Sequence, residues 1–443
     1  MHMLLMEVFQ QLDQQHIQYC VLRGYEELDL LDDTGDVDLL VRDDQIGQFQ
    51  ALMAQLHFVR LPSWGHAPHQ FYVAYDESSD RWLKLDAVTT VMFGKPIPAL
   101  KTLLAEGCLA RRQRRGPTYV PSPEDELVTT LLHCLLDKGA FSAHRLARIK
   151  ALRAEITDEA YLNKLLRAAW APDLSWARLA ALIDTESWPA LLRAAPQIAR
   201  RLGRGQRLAV RGRTLAGRAL RKLDRIAGVL QPRALTVALL APDGGGKTTL
   251  ATELARRFFL PSRYIYMGTN LDASTIGLPT TRWIQARSQR ASKPIRLLAR
   301  GLRFPNNVAE QWYRYGVSYY HMVRGRLVLF DRYVYDAPAA QRRTSLKSRL
   351  RRWMLAAIAP KPDLVVFLDA PGEVLYARKG EHSPSILEQQ RQHYLGLQQH
   401  LPQMVVVDAT NNADQVRRTV TSLIWQWYAK HLRGDRSAHP REA

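Results

Sequence analysis

The chain has 443 residues, a length that predicts about two or three domains rather than one. No apolar run reaches the length of a membrane-spanning helix, which argues against an integral membrane protein. Lys and Arg number 62 against 42 Asp and Glu, and the formal net charge is +20, so the surface is expected to attract anions such as nucleotides, nucleic acid or acidic lipid.

The cysteines and the start of the chain bear on its compartment. Cys20, Cys108 and Cys134 are far apart and lack metal-ligand spacing, which argues against a disulfide framework or a zinc site. Residues 1–12 lack a basic leader and contain Glu7. We therefore expect a cytoplasmic protein.

Three aspartates mark the N-terminal part of the chain. Asp36 and Asp38 stand two apart at the head of an apolar run, so a strand would point both carboxylates to one face, and Asp86 ends the apolar stretch WLKLDAV. With Gly24 ahead of them, these residues match in order the Gly turn, Asp-x-Asp pair and later Asp of the nucleotidyltransferase superfamily. The resemblance implies a small α+β domain over residues 1–120 that binds Mg²⁺. The alternative is a solvated acidic turn.

The histidines near these acids offer no complete ligand set. His66 and His69 are three apart without a cysteine or acidic partner nearby in sequence, which favours a polar loop over a metal site. His133 lies on the apolar face of a helical run and is expected to pack in the core.

Residues 121–230 form a predicted all-helical middle part. Apolar residues recur at helical spacing over 124–136, 143–154, 158–169 and 174–183. Between Arg200 and Arg225 the sequence turns strongly basic, and apolar residues three or four apart from Leu215 to Leu230 predict an amphipathic basic helix. An acidic membrane surface and nucleic acid are candidate partners, and a solvated linker helix is the alternative.

A glycine-rich segment organises the C-terminal half. Residues 236–250, TVALLAPDGGGKTTL, predict a strand, a phosphate-binding loop and a helix. Gly244, Gly245 and Gly246 let backbone amides curl around an anion. Lys247 supplies charge for the outer phosphates, Thr248 supplies a hydroxyl for Mg²⁺, and Asp243 and Thr249 complete the predicted ATP site.

Five continuous apolar runs predict a parallel sheet wrapped by helices over residues 231–433. They lie at 236–240, 263–267, 326–330, 363–368 and 404–407. Ligands bind at the carboxyl ends of such strands, where the phosphate loop, Asp331-Arg332-Tyr333 and Asp369 all fall. Residues 434–443 are expected to be disordered.

This half resembles the thymidylate kinase branch of the P-loop nucleoside monophosphate kinases. The likeness rests on PDGGGKTT, FDRYVYD, PDLVVFLDAPGEVLYARKGE and MVVVDAT. It implies that Asp243 contacts the acceptor sugar, Arg332 holds the acceptor phosphate, and Arg378 belongs to a closing lid. Asp331 is the expected acid near the metal, with Asp369 as its rival.

The resulting hypothesis is an ATP- and Mg²⁺-dependent phosphotransferase fused to a nucleotidyltransferase-like domain. A basic insertion at residues 270–304 replaces the expected acceptor-side arginine segment, so the acceptor is predicted only as a phosphorylated small molecule, either a nucleotide or a sugar phosphate. The alternatives are a nucleic-acid-associated NTPase and a nucleotide-binding regulator with degenerate catalysis.

Overall fold

The computed structural model describes residues 1–29, 35–170, 174–230, 233–267, 276–281, 283, 293–331, 333 and 361–433. The predicted tail at 434–443, Arg332, and residues 270–275, 282 and 284–292 of the basic insertion lie outside these residues. The chain folds as two compact units, Met1–Ile226 and Ala227–Ala443. In the described part of the chain, no helix combines the length and the apolarity needed to cross a bilayer.

The first unit is built on a mixed five-stranded sheet with the order β1-β2-β5-β4-β3. Its strands are β1 (Tyr19–Arg23), β2 (Val37–Val41), β3 (Val59–Arg60), β4 (Gln70–Asp76) and β5 (Arg81–Val88). β2 and β5 run parallel, and the other pairs are antiparallel. Helices α1 (Met3–Gln14) and α2 (Ile46–Gln55) contribute Leu5, Phe9 and Phe49 to the core cluster of this sheet. The small α+β architecture predicted for this part is confirmed.

Two short hairpins follow the main sheet and precede the helical segment. They consist of β6 (Met92–Phe93) with β7 (Leu100–Lys101), and β8 (Gln113–Arg115) with β9 (Thr118–Val120). Helix α3 (Leu104–Ala110) lies between them in sequence.

The remaining elements of the first unit are helical. They are α4 (Pro123–Leu132), a π-helical turn (His133–Lys138), α5 (Ala143–Glu155), α6 (Glu159–Ala169), α7 (Trp176–Asp184), α8 (Trp188–Leu202) and α9 (Arg207–Leu230), the last of which contains the boundary between the units. Ser122 caps α4 by accepting a hydrogen bond from the Asp125 amide. One core cluster joins Cys20 and Leu40 of the sheet to Leu131 and Ile149 of the helices, so this segment packs directly on the strands.

The second unit contains a five-stranded parallel sheet with the order β11-β12-β10-β13-β14. Its strands are β10 (Thr236–Leu240), β11 (Ser262–Tyr266), β12 (Leu327–Asp331), β13 (Leu364–Asp369) and β14 (Met404–Asp408). Strands β10 and β12 are buried along their whole length, as expected for strands covered on both faces. The predicted parallel sheet wrapped by helices is confirmed.

Helices precede or follow these strands in the described part of the chain. They are α10 (Lys247–Arg257), α11 (Lys293–Val323), α12 (Gly372–Lys379), α13 (Pro384–Leu397) and α14 (Ala413–Arg433). The chain leaves β10 for a strand on one side of the sheet and later returns to the other side, and such a reversal opens a crevice at the carboxyl end of the central strand.

Candidate functional site

The glycine-rich turn between β10 and α10 has the shape of a phosphate-binding loop. Gly244 and Gly246 adopt left-handed φ angles of 87° and 83°, which disfavour any residue with a side chain. A β-carbon on Gly245 would overlap the methyl group of Ala241, so the alanine at the start of the loop makes glycine necessary at position 245. The Gly245 amide closes the turn by donating to the Pro242 carbonyl at 3.2 Å.

Lys247 lies inside this loop. Its side chain is buried, and its ammonium donates to the carbonyl oxygens of Ala241 and, at 3.1 Å, of Pro242. Carbonyl dipoles therefore hold a buried positive charge at the loop. Because carbonyls are weaker partners than phosphate oxygens, the ammonium is placed to exchange them for an anionic ligand.

The loop opens into a cavity of about 840 Å³. Its walls come from the phosphate loop, the ends of β12 and β13, the end of α12, and the segment that joins β14 to α14. The lining residues include Asp243, Gly244, Gly245, Gly246, Lys247, Thr248, Thr249, Asp331, Arg378, Asn411, Asn412 and Arg417. The structure thus brings together every described residue predicted for the ATP site. Arg332 lies outside the described residues.

Asp331 is buried, and its two carboxylate oxygens differ. Oδ2 accepts a hydrogen bond from the Tyr264 hydroxyl, whereas Oδ1 has no partner among the described residues. A buried oxygen left unpaired is costly unless a ligand satisfies it. With Thr248 lining the same cavity, this donor set fits Mg²⁺, which prefers oxygen ligands.

Tyr264 on β11 was not predicted as a site residue. Its hydroxyl contacts both Asp331 and Thr248, so it links the acid to the phosphate loop. Burial, and then the hydrogen bond and negative charge of Asp331, raise the pKa of Tyr264 well above its ordinary value, so the phenol stays neutral and remains a donor. No motif in the sequence marks this residue, because its role arises from strand pairing.

Asp369, the rival acid, is held by another residue. Arg391 of α13 donates to it from Nε at 2.6 Å and from Nη2 at 2.9 Å, which is a bidentate ion pair. Arg391 also donates to Glu388, which in turn accepts from the Gly372 amide at 3.0 Å. This network fixes α13 against the end of β13, so the geometry leaves Asp331 as the acid with an available oxygen.

Arg378 and Asp243 lie at the mouth of the cavity. Arg378 is exposed in the last turn of α12 and forms no ion pair with any described residue. The Asp243 carboxylate lies 3.5 Å from His382 Nε2, in the segment that follows α12. The phosphate loop and the segment after α12, where the lid is predicted, are therefore in contact.

The far wall of the cavity follows β14. The Thr410 hydroxyl and amide donate to Asp408 Oδ1 at 2.6 and 2.8 Å and lower the pKa of this carboxyl group. This turn directs residues 409–413 along the cavity, and Arg417 behind them is buried and pairs with Asp414 at 3.5 Å. The sequence indicated a strand at 404–407, but not these lining residues.

In the first unit, the three predicted aspartates come together. Asp38 on β2 lies opposite Asp86 on β5, Asp36 immediately precedes β2, and their ligand atoms are all within 4.8 Å of one another. Gly24 follows β1 with a left-handed φ of 75°. The geometry follows from parallel pairing, which sets residues of equal register side by side.

Each of these carboxylates has a basic side chain as its partner. Arg23 donates to Asp38 at 2.7 Å, Lys84 to Asp36 at 3.0 Å, and His69 Nδ1 lies 2.9 Å from Asp86. Burial would raise the pKa of Asp38, but the charge and hydrogen bonds of Arg23 outweigh it and lower the pKa. Arg23 and Lys84 therefore neutralise two of the three carboxylates, and His69 neutralises the third when it is protonated.

Two histidines have acidic partners that the sequence did not indicate. His69 lies in a loop, as expected, but its Nδ1 also bonds Asp86. Burial lowers its pKa, and the hydrogen bond and charge of Asp86 more than compensate, leaving the pKa raised. His133, expected to pack in the core, instead bonds Asp137 at 3.0 Å and lines a cavity of about 60 Å³ together with Asp38 and Asp86. The difference arises because Asp137, one helical turn on, offers a polar partner.

Comparisons with known proteins bear on the second unit. Residues 242–420 match the family model described as Thymidylate kinase. The chain is 28% identical over 216 residues to the thymidylate kinase of Xanthomonas oryzae pv. oryzae, an alignment that covers 46% of this chain and 89% of that protein. It is 32% identical over 112 residues to a probable thymidylate kinase of Thermococcus gammatolerans, covering 23% of this chain and 52% of that protein.

The matched family segment begins at the phosphate loop and does not extend into the first unit. It contains the glycine-rich loop, Asp331 and the arginine-bearing helix α12, which are the elements that line the large cavity. Residues 242–420 therefore form a thymidylate kinase-type domain, which supports a nucleotide kinase function for this half of the chain.

Proposed function

We propose that the second unit transfers the γ-phosphoryl group of ATP to the phosphate of a small phosphorylated acceptor. A nucleoside monophosphate is the first candidate because the relatives are thymidylate kinases, and a sugar phosphate is the second. The observation that carries the proposal is the convergence of Lys247, Asp331 and Arg378 on one cavity of about 840 Å³. This volume is in the range that accommodates small-molecule ligands.

Phosphoryl transfer depends on alignment and charge neutralisation more than on covalent chemistry. The backbone of Gly244–Thr249 would cradle the ATP phosphates, and Lys247 would exchange its carbonyl partners for phosphate oxygens. Thr248 and Asp331 would hold Mg²⁺, with Tyr264 orienting the carboxylate. When bound, the ion would neutralise phosphate charge and align the phosphates.

The cavity mouth would serve the acceptor and the closing step. Arg378, exposed and without an ion-pair partner among the described residues, is suited to move towards the transferring group, where its charge is most useful in the transition state. Arg332 would hold the acceptor phosphate, and Asp243 would accept from an acceptor hydroxyl. Because Asp243 lies next to His382, acceptor binding and movement of the α12 segment would be linked.

The test is ADP formation from ATP and Mg²⁺ with a panel of nucleoside monophosphates and sugar phosphates, alongside reactions without an acceptor and with DNA. We expect acceptor-dependent ADP release that Lys247→Ala abolishes. The matched control is Lys361→Ala, since Lys361 is an exposed lysine of the same unit that does not line the cavity. ADP release that needs DNA and no small acceptor would favour the NTPase alternative, and nucleotide binding without turnover would favour the regulator.

A second function for the first unit rests on a separate observation, the convergence of Asp36, Asp38 and Asp86. We propose that these carboxylates bind Mg²⁺ in a nucleotidyltransferase-like site. The adjoining cavity of about 60 Å³ is smaller than a nucleotide needs, so substrate binding would require this site to open. Calorimetric titration with Mg²⁺ should give a binding signal that Asp38→Asn weakens and Asp76→Asn, an acid elsewhere on the sheet, leaves unchanged. Absence of Mg²⁺ binding would exclude the transferase.

A further inference from the structure

Helix α9 carries an apolar stripe on its solvent side. Leu208, Leu215, Leu223 and Ile226 are 83%, 65%, 52% and 49% exposed. At 100° per residue, Leu208, Leu215 and Ile226 fall within about 20° of one line along the helix, and Leu223 lies beside it. An amphipathic helix of a globular unit ordinarily turns such a stripe towards its core.

The opposite face of α9 is the one fixed to the first unit. Arg213 donates to the Ala99 carbonyl, and Arg221 donates to the Gly65 carbonyl at 3.0 Å. Gln206, immediately before the helix, donates to the Lys101 carbonyl at 3.0 Å. Gly217 lies so close to its neighbour that an added β-carbon would come within 2.7 Å of Ile97 Cδ1. These contacts fix the orientation of α9 about its own axis. The apolar stripe lies on the opposite side of the helix and is therefore exposed to solvent.

The charge of the helix indicates which kind of partner the apolar stripe could bind. Arg207–Leu230 contains six arginines and one lysine against the single acid Asp224. Arg211, Arg218 and Lys222 are exposed and flank one edge of the apolar stripe. Basic residues beside an exposed apolar stripe are the pattern of helices that lie in the plane of a membrane interface.

We propose that α9 binds an anionic lipid bilayer, with Leu208, Leu215 and Ile226 inserted at the boundary between headgroups and acyl chains. Nucleic acid would satisfy the basic residues equally well, but it offers no apolar phase for exposed leucines. The lipid surface is favoured because its anionic headgroups can pair with the basic residues and its acyl chains can bury the apolar stripe. Binding would be reversible, since one interfacial helix does not anchor a chain permanently.

The first experiment is flotation of the full chain with vesicles of phosphatidylcholine, with and without phosphatidylglycerol, at physiological salt. We expect binding only to the anionic vesicles. The triple variant Leu208→Gln, Leu215→Gln, Ile226→Gln should lose at least about tenfold in partitioning, and Lys222→Glu at least about fivefold. Leu103→Gln, at a leucine 90% exposed elsewhere in the first unit, is the matched control and should bind normally.

The second experiment does not depend on how the triple variant folds. The native cysteines are all buried, so Leu215→Cys can be labelled selectively with an environment-sensitive dye. The dye emission should shift to the blue on anionic vesicles and stay unchanged with duplex DNA, whereas a Leu103→Cys label should respond to neither.

Three outcomes would overturn the proposal. The first is a wild-type chain that fails to bind anionic vesicles, or a Leu215→Cys label that stays solvated on them. The second is vesicle binding that the triple variant retains in full. The third is a wild-type dimer in light scattering that the triple variant loses, which would assign the stripe to a second copy of the chain.

Discussion

Replacing the two strand-end acids, Asp331 and Asp369, with asparagine should separate a catalytic acid from a structural one. Both follow apolar strands of the parallel sheet, and both changes remove one negative charge while keeping the shape of the side chain. Asp369 is held by Arg391 through two hydrogen bonds of 2.6 and 2.9 Å, whereas Asp331 has one oxygen without a described partner. Asp369→Asn should therefore lose mainly stability, and Asp331→Asn should lose mainly catalytic rate.

Asp369→Asn removes one half of a partly buried ion pair. Hydrogen bonds to charged groups contribute roughly 1.5–3 kcal/mol, and both side chains keep some solvent contact, so we estimate a loss of about 2 kcal/mol in the free energy of unfolding. For a unit of this size that corresponds to a fall in Tm of about 4–8 °C. ATP turnover per folded molecule should change by less than about tenfold, since this acid already has its partner.

Asp331→Asn should instead leave the free energy of unfolding nearly unchanged and lower kcat. The amide oxygen can still accept from Tyr264, and a buried negative charge with one oxygen unpaired among the described residues disappears, so the free energy of unfolding should change by less than about 1 kcal/mol. Loss of the oxygen offered to Mg²⁺ should lower kcat at least about a hundredfold, which is about 2.7 kcal/mol in the activation free energy.

Two measurements check this pair. Differential scanning calorimetry of the nucleotide-free proteins gives Tm, and a coupled ADP assay at saturating ATP and Mg²⁺ gives kcat. The reasoning fails if Asp331→Asn keeps near wild-type kcat, or if Asp369→Asn abolishes turnover while leaving Tm unchanged.

Four further predictions concern single residues. Lys247→Ala should weaken ATP binding at least about tenfold in calorimetry, about 1.4 kcal/mol, and unchanged affinity would contradict the phosphate-loop assignment. Arg378→Ala should lower kcat at least about tenfold while the Kd for ATP stays within about threefold, and a parallel loss of affinity would instead place this residue in ATP binding. Arg332→Ala should abolish transfer and spare ATP binding, which acceptor-dependent ADP release and calorimetry together test. His69→Gln should destabilise the first unit most below about pH 6.5, because a raised folded-state pKa contributes stability that is lost as pH rises through it. A Tm difference from wild type that grows with pH would contradict the ion pair with Asp86.

Some features of the second unit could be predicted because they depend on short stretches of sequence. A continuous apolar run predicts a strand buried on both faces, and three glycines before Lys247 predict a loop whose backbone can surround an anion. These are local consequences of residue type, and the structure places the loop, its helix and the five parallel strands accordingly. The Asp-x-Asp spacing likewise indicated a shared face for Asp36 and Asp38.

The amphipathic helix α9 shows where periodicity stops being informative. Its spacing predicts an apolar stripe, but such a stripe by itself does not say which side of the helix faces the protein. The contacts of Gly217 and Arg221 with residues more than a hundred positions earlier decide that the stripe points to solvent.

The sequence by itself determined the phosphate loop, the parallel sheet and the set of candidate acids, because each depends on neighbouring residues within one element. Only the tertiary structure distinguishes the environments of Asp331 and Asp369, which look alike as acids at strand ends. Arg391, 22 residues away, neutralises one of them, and Tyr264 on a neighbouring strand orients the other. Pairing of β2 with β5 in the same way sets Asp38 opposite Asp86, and long-range packing supplies His69 as a partner. The physical reason is that the environment of a charge is set by whatever the fold brings within a few ångströms, and sequence spacing does not encode that distance.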